Sequence, residues 1–188
     1  MKMAIIKRPP KQSAPNVDLT SSEIQSYRTV EEIYARAEAL GVKTFPFDVI
    51  SYLKCHGVRI VYEEIEDMSG CVELENSTII VTINKYQNQT RQRFTAAHEL
   101  SHIIKHFPNV KDGEFKIGET VLFRDNETIG KVEREANELA AEILMPRNVF
   151  DSLLRDGIRN IERLAEKFNV SPAAVRYRAY KLGYIQRY

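Results

Sequence analysis

The chain has 188 residues, 43% hydrophobic and 28% charged, with a net charge of +1, a composition typical of a globular protein with a core of ordinary size. No stretch approaches the ~20 apolar residues that a transmembrane helix needs, so we expect no membrane partner. Cys55 and Cys71 provide no disulfide framework, and the apolar run at 3–6 ends at Pro9 before it reaches signal-peptide length, so a cytoplasmic protein is expected and a secreted one is disfavoured.

The charges are unevenly distributed along the chain. Residues 1–15 carry four basic and no acidic side chains, and residues 147–188 carry nine basic against four acidic ones, so the residues between them are net acidic. Basic ends suit nucleic acid or an acidic protein partner, although they also serve solubility alone. Three prolines among polar residues predict a mobile N-terminal arm at 1–18. A main domain at 19–146 and a C-terminal helical segment at 147–188 are predicted to follow.

The first half of the chain predicts two helices followed by strands. Residues Thr20 to Glu23 have the spacing of a capping box, and apolar residues behind them recur at helical intervals until Gly41. These apolar residues are Val30, Ile33, Tyr34, Ala37 and Leu40. A second helix is predicted from Pro46 to Gly57. A strand is then predicted at 58–63, which is rich in β-branched residues, and two more at 71–74 and 78–84, which flank the turn-like residues 75–77. Together they predict a small antiparallel or mixed sheet.

The second half of the chain is predominantly helical in its pattern. A helix predicted at 91–107 ends before Pro108 and buries one side, formed by Ala97, Leu100, Ile103, Ile104 and Phe107. A loop-rich stretch follows, with one strand predicted at 120–123. Further helices are predicted at 132–144, 147–155, 159–168 and 172–182. The order of these elements predicts an α+β fold in which a small sheet packs on helices.

The helix at 91–107 carries the sequence His98-Glu99-Leu100-Ser101-His102. Two histidines four residues apart project from one helix face, about one turn apart, so both imidazoles can bind one metal ion. Glu99 follows the first histidine, where its carboxylate can reach a water molecule held by the metal. Because the chain has only four histidines, this spacing favours a catalytic zinc centre over two solvated surface histidines.

A catalytic zinc ion takes three protein ligands, so a third ligand must lie elsewhere. His106 is on the same helix, where three successive turns cannot easily surround one ion, and it is interpreted as a neighbour of the ligands or a surface residue. The helix at 132–144 offers a carboxylate from Glu133, with Asn137 on the same face to accept a hydrogen bond from a ligating imidazole. Glu135 lies about 200° around that helix, so Glu133 is preferred. For either glutamate the alternative is a solvated helix face.

Two sequence blocks together resemble the ImmA/IrrE family of metallopeptidases. They are RFTAAHELSHIIKH at 93–106 and ExxANxLAAExLMP at 133–146. The resemblance implies a thermolysin-like zincin core, small and cytoplasmic, in which one Zn²⁺ is held by His98, His102 and Glu133 and Glu99 is catalytic. Ser101, where the family often has glycine, and Leu139, where it usually has phenylalanine, depart from the pattern without changing the ligands.

Cys71 follows Ser69-Gly70 at the start of a predicted strand that is expected to border the active-site cleft. A thiolate at this place could occupy the fourth position of the zinc ion and inhibit the enzyme until it is displaced. We state this as a hypothesis. The alternative is that Cys71 is a small buried hydrophobic residue.

The segment at 159–182 is similar to a helix–turn–helix. Its apolar residues have helical spacing on both sides of a turn in which Ser171 is the expected N-cap and Pro172 the first helical residue. The second helix is predicted to expose Arg176, Arg178 and Lys181, which in DNA-binding proteins face the groove. Two helices alone do not make a stable DNA-binding unit, so packing on the catalytic domain or docking of substrate is preferred to DNA binding.

The motif and the resemblance together predict a cytoplasmic zinc endopeptidase. The resemblance implies that its substrate partner is a helix–turn–helix repressor, whose cleavage switches on genes of a mobile element, a phage or a stress response. Two alternatives act by binding alone. One is a DNA-binding regulator with a structural or regulatory metal site, and the other is a component of a toxin–antitoxin pair.

Overall fold

A computed structural model of the chain describes residues 24, 26–27, 29–106, 116–117 and 126–186. The elements in these ranges show a mixed α+β fold, as the sequence predicts. In chain order they are α1 (Val30–Ala39), α2 (Val49–Cys55), β1 (Arg59–Glu63), β2 (Gly70–Glu75), β3 (Thr78–Asn84), α3 (Gln89–Lys105), β4 (Lys116–Ile117), α4 (Asn126–Leu144), α5 (Arg147–Arg155), α6 (Ile161–Phe168) and α7 (Pro172–Lys181).

The strands form one mixed sheet in the order β1-β3-β2-β4. Strand β1 pairs parallel with β3, whereas β2 pairs antiparallel with both β3 and β4. A tight turn joins β2 to β3, and its residues Asn76 and Ser77 have φ values of 48° and 61°. This left-handed backbone is the one that two-residue hairpins use. Of the two sheet types that the sequence left open, the mixed sheet is therefore the correct one.

One face of the sheet packs against α3 and thereby fixes the motif helix. Successive side chains of a strand point to opposite faces, so alternate positions of β2 and β3 share the face toward the helix. Val72 of β2 and Ile79, Val81 and Ile83 of β3 lie in the same hydrophobic core as Ala97, Leu100 and Ile103 of α3. This packing holds the buried side of α3 on the sheet. The side of α3 that carries His98 and His102 is then directed toward α4.

The helix boundaries follow from their caps. Helix α1 begins at Val30 because Thr29 and Glu32 form a capping box, with 3.2 Å from the Glu32 amide to Thr29 Oγ1 and 3.3 Å from the Thr29 amide to Glu32 Oε2. The Thr20 to Glu23 box lies outside the described residues. Helix α3 begins two residues before the predicted start because the Asn88 side chain accepts a hydrogen bond from the Arg91 amide.

Other differences from the sequence analysis concern short segments or residues outside the described ranges. Helix α4 begins at Asn126, six residues before the predicted start. The strand predicted at 120–123, Phe107 and the predicted mobile arm at 1–18 all lie outside the described residues. Strand β4 has only two residues, which is too short to show an alternating pattern, and the sequence analysis did not predict it.

The C-terminal helices share the core of the rest of the chain. Phe150, Leu164, Phe168 and Val175 belong to the same hydrophobic cluster as the sheet and α3. Arg93 of α3 also donates hydrogen bonds of 2.9 Å each to the carbonyl oxygens at 168 and 169, at the end of α6. The domain boundary at residue 146 stays a prediction, but these contacts tie the helices on either side of it together.

Arg178 is not at the surface, contrary to the sequence analysis. Its Nε donates a 3.0 Å hydrogen bond to the Met145 carbonyl oxygen, and its Nη2 lies 3.7 Å from a carboxylate oxygen of Glu142. Position 178 follows the buried Val175 by three residues and directly precedes the buried Ala179, so it lies on the core side of α7. This arginine is therefore a packing residue and does not face a DNA groove.

In the part of the chain that the structure describes, no helix is both long enough and apolar enough to cross a bilayer.

Candidate metal centre

Helix α3 presents two imidazoles side by side. His98 and His102 are one turn apart, and their Nε2 atoms lie 2.9 Å from each other. His102 is fully buried, and His98 is partly exposed. The apolar side of the helix is fixed on the sheet, so both rings are held on the side that faces α4.

Helix α4 supplies a carboxylate to the same point. Glu133 Oε2 lies 3.1 Å from His98 Nε2, and Glu133 Oε1 lies 3.3 Å from His102 Nε2. One ligand atom from each of these three residues lies within 4.8 Å of the other two, an arrangement that could hold a metal ion. Ala136 and Ala140 are small, buried and on the same face of α4 as Glu133, which favours a close approach of the two helices.

The outer nitrogen of His98 is engaged by a hydrogen-bond acceptor. Its Nδ1 lies 3.1 Å from Asn137 Oδ1. An amide oxygen only accepts hydrogen bonds, so Nδ1 carries the hydrogen and Nε2 of the neutral ring keeps its lone pair. The sequence analysis predicted this contact from the four-residue spacing of Glu133 and Asn137.

The outer nitrogen of His102 is held by a longer chain of contacts. Glu135 Oε2 lies 3.4 Å from His106 Nε2, and His106 Nδ1 lies 3.0 Å from His102 Nδ1. The carboxylate accepts from His106 Nε2, so His106 Nδ1 is free of hydrogen and accepts from His102 Nδ1. Nε2 of His102 therefore also keeps its lone pair. His106 lies next to a ligand candidate, and Glu135 is outside the three-residue group but contacts it through His106.

These tautomers make the centre suitable for a cation. Two nitrogen lone pairs and a carboxylate face one another over about 3 Å, which is unfavourable unless positive charge lies between them. Burial lowers the pKa of His98, but its contacts with Glu133 and Glu99 outweigh this and raise the pKa above the ordinary value. Contacts with His102 and His98 lower the pKa of Glu133 well below its usual range. Two imidazoles and one carboxylate are also a donor set that catalytic zinc uses.

Glu99 is buried next to the three-residue group. Its exposed fraction is 3%, and its Oε2 has no hydrogen-bond partner among the described residues. Burial raises the pKa of its carboxyl to about 8, against an attraction to His98 that lowers it. A buried carboxyl with an open acceptor costs folding free energy, so this position is better explained by chemistry than by stability.

Gly70 of β2 leaves room for Glu99 and its neighbour, a role that sequence reasoning missed. A Cβ at this position would overlap the Thr95 methyl group, lie 2.7 Å from the Thr82 carbonyl oxygen and lie 3.5 Å from Glu99 Oε1. The only signal in the sequence is a glycine immediately before a predicted strand. Glycine is common at such positions because many turns contain it, so the signal is not specific. The close approach of β2 to α3 is therefore visible only in the folded chain.

Replacing Gly70 with alanine is expected to destabilise the protein by about 1–3 kcal/mol, the usual cost of overpacking, because the Thr82 backbone cannot easily move. Urea-induced unfolding measures this. The matched control is Gly130→Ala on α4, where a Cβ meets nothing within 4 Å and the helix should gain stability. Equal stability of the Gly70 variant and the natural protein would contradict the close packing described here.

Cys71 lies on the other face of β2 from the motif helix. Gly70 points toward α3, and neighbouring side chains of a strand point to opposite faces, so the Cys71 side chain points away from it. Cys71 is buried and is not part of the three-residue group. Its position thus argues against the hypothesis of an inhibitory zinc ligand and fits a small buried residue.

The remaining predicted site residues lie on α7, away from the group. Arg176 Nη2 is 3.5 Å from Glu162, and Lys181 Nζ is 2.6 Å from Glu138. Both are surface pairs, which contribute little free energy each. Their role in DNA binding or substrate docking stays a prediction.

The comparisons with known proteins bear on fold and on family separately. A transcriptional regulator of Mycobacterium tuberculosis has a similar fold, with a TM-score of 0.54 at 14% sequence identity, and the match covers 85% of this chain and 52% of the regulator. This chain therefore spans about half the length of that structure, and the likeness concerns the fold alone. A search of curated proteins finds no match.

A family match covers the elements that build the centre. The family described as IrrE N-terminal-like domain, Peptidase_M78, matches residues 53–180, which is more than half of the chain and includes all of α3 and α4. The chain therefore belongs to the IrrE N-terminal-like family of metallopeptidases, the ImmA/IrrE family of the sequence analysis.

Proposed function

We propose that the protein is a cytoplasmic zinc endopeptidase in which His98, His102 and Glu133 hold one Zn²⁺ ion and Glu99 is the general base. The observation that supports it best is the convergence of three ligand atoms beside a buried carboxylate with an open acceptor. Membership of a metallopeptidase family supports the same chemistry.

The residues of the centre would have different roles in the hydrolysis of a peptide bond. When bound, Zn²⁺ would supply Lewis-acid chemistry that polarises a peptide carbonyl and acidifies water. Glu99 would accept a proton from the attacking water and return it to the leaving amine as the carbon–nitrogen bond breaks. Asn137 and His106 would keep the two imidazoles in the tautomers that ligation needs.

The substrate that we propose is a helix–turn–helix transcriptional repressor encoded nearby, whose cleavage switches on mobile-element, phage or stress-response genes. Support for this part comes from the family resemblance of the two sequence blocks. Co-expression with such a repressor, followed by mass spectrometry, tests it. Two fragments whose masses sum to the repressor plus one water are expected. An intact repressor would argue against proteolysis and for a partner bound without cleavage, as in a toxin–antitoxin pair.

A DNA-binding regulator is the second candidate. The fold likeness to a protein named as a transcriptional regulator and the exposed Arg176 favour it. The burial of Arg178 and the pairing of Lys181 with Glu138 weigh against it. DNA binding that falls steeply with salt and is unchanged in a Glu99→Gln variant would favour this candidate over the peptidase.

Removing either contact that fixes an imidazole is expected to weaken zinc binding by about 10- to 100-fold, because the ligand then loses its tautomer and orientation. The variants are Asn137→Ala and His106→Ala, and competition with a chromophoric chelator measures the affinity. The control is Asn148→Ala on α5, an exposed asparagine outside the centre, which should bind zinc normally. Unchanged affinity in both variants would show that the outer nitrogens do not matter.

A further inference from the structure

A cavity of about 550 Å³ lies between the N-terminal part of α3, the N-terminal part of α7 and the middle of α4. Its volume is within the usual range of ligand-binding pockets. Phe94, Ala173, Ala174 and Tyr177 give it an apolar wall. None of the three residues proposed to hold the metal lines this cavity, and the family match assigns it no role.

The cavity adjoins the metal centre through a shared residue. Asn137 lines it and also contacts Nδ1 of His98. Phe94, another lining residue, precedes His98 by one turn of α3, so its ring lies along the same helix face. The cavity therefore borders the metal centre on the Asn137 side of His98, where a chain bound at the three-residue group could place a side chain in it.

All the charge that lines the cavity is positive. Arg91 and Arg134 are both exposed lining residues, and no carboxylate lines the cavity with them. Arg91 is held in position by Ser69, whose Oγ accepts hydrogen bonds of 3.1 Å from Nε and 2.7 Å from Nη2. Arg134 donates from Nε to the Gly130 carbonyl oxygen over 3.0 Å.

Neither arginine forms an ion pair within the parts of the chain that the structure describes. The basic residues of α7, in contrast, are paired with carboxylates: Arg176 with Glu162, Arg178 with Glu142 and Lys181 with Glu138. Two unneutralised guanidinium groups beside an apolar wall are complementary to an acidic group next to an apolar one. A free anion alone would leave the wall uncovered.

We propose that this cavity is the specificity pocket of the enzyme, and that it binds an apolar side chain of the substrate peptide with an aspartate or glutamate directly beside it. The inference rests on the proposed peptidase function, because it takes the three-residue group as the place of cleavage. The apolar side chain contacts Phe94 and Tyr177, and the acidic one pairs with Arg91 or Arg134. A nucleic acid backbone is less suited, since it offers repeated charge and no aliphatic group for the wall.

The test uses the zinc-loaded Glu99→Gln protein and fluorescein-labelled octapeptide pools. One pool has adjacent glutamate and leucine at its centre and random flanks, the second has lysine for the glutamate, and the third has alanine for the leucine. Fluorescence anisotropy is expected to show tightest binding of the first pool. Exposed charge pairs each change affinity by about two- to fivefold, so Arg91→Glu/Arg134→Glu should weaken the first pool by about 4- to 25-fold and favour the second.

Two further variants distinguish the contribution of the arginine charges from that of the apolar wall. Arg159→Glu/Arg163→Glu, an equal change of charge at two exposed positions outside the cavity, should leave the order of the pools unchanged. Ala173→Phe fills the cavity and should remove the preference for leucine while keeping that for glutamate. Equal binding of all pools, or a DNA duplex bound through Arg91 and Arg134 without any peptide preference, would overturn the proposal. Binding is measured without cleavage, so the two proposals can fail separately. If the zinc-loaded natural protein kept the preference for the first pool but cleaved neither peptide nor repressor, the peptidase function would be refuted and only peptide binding in this cavity would remain.

Discussion

Glu99→Gln is expected to abolish peptide-bond cleavage and to leave zinc binding and folding intact. General acid–base catalysis by a positioned side chain contributes about 100- to 10,000-fold in rate, so the loss should be of that order. Glutamine has the shape of glutamate but cannot take the proton of the attacking water. Cleavage of a repressor or peptide is followed by mass spectrometry, and bound zinc is measured by elemental analysis.

Stability separates this prediction from simple misfolding. Glu99 is buried and its Oε2 has no hydrogen-bond partner among the described residues. Because the raised pKa of about 8 keeps this carboxyl mostly uncharged at pH 7, a neutral amide of the same shape should leave the unfolding temperature at that pH nearly unchanged. The control is Glu166→Gln at an exposed position of α6, which should cleave normally. A Glu99→Gln protein that cleaves at the natural rate would refute the mechanism, and one that loses zinc would make Glu99 a ligand.

The parts of the site that depend on one helix could be predicted from sequence. His98 and His102 face the same way because of the helical repeat, and the same repeat puts Glu133 and Asn137 on one face of α4. The relation between the two helices could not be predicted. The contact between Glu135 and His106 depends on how α4 is positioned against α3, and no local pattern reports that position.

The sheet shows the same division between local and long-range information. Strands β1 and β3 could be located because β-branched residues cluster there, and β2 could be located because a turn-like segment at 75–77 separates it from β3. Their order could not, because the parallel pairing of β1 with β3 joins segments on either side of β2. The need for glycine at position 70 is a consequence of that arrangement, since its close contacts with Thr82 and Thr95 exist only once β2 is paired with β3 and α3 packs across the sheet.

Arg178 was misassigned although the sequence contained the signal for its position. The spacing that places Val175, Ala179 and Leu182 on the core face also places position 178 between them. The surface assignment follows from the positive charge of arginine, whereas the helical spacing assigns position 178 to the core face. A long cationic side chain can lie along an apolar face and end at backbone carbonyls, as the hydrogen bond to Met145 shows. Basic residues in a short helix therefore need the periodicity test before they are assigned to a nucleic-acid surface.

Replacing Glu133 with alanine is expected to remove stoichiometric zinc binding, because two imidazoles alone leave the ion without its third protein ligand. The affinity should fall by at least about 100-fold, beyond the effect of losing a contact that only orients a ligand. At a zinc concentration of about 100 times the dissociation constant, the natural protein should gain about 2.7 kcal/mol of stability. The Glu133→Ala variant should gain no more than about 0.4 kcal/mol at that concentration. Calorimetric titration and thermal unfolding with added zinc measure both quantities.

Glu135→Ala is the matched control, since it removes a carboxylate from the same helix two residues away. Glu135 contacts His106 but neither ligating imidazole, so its loss should weaken zinc by about 10-fold at the low end of the range for orienting contacts. The comparison decides between the two glutamates that the sequence left in competition. If Glu135→Ala lost the metal and Glu133→Ala kept it, α4 would have to be rotated by about half a turn. Asn137 would then no longer reach His98, and the tautomer argument for the whole centre would fail with it.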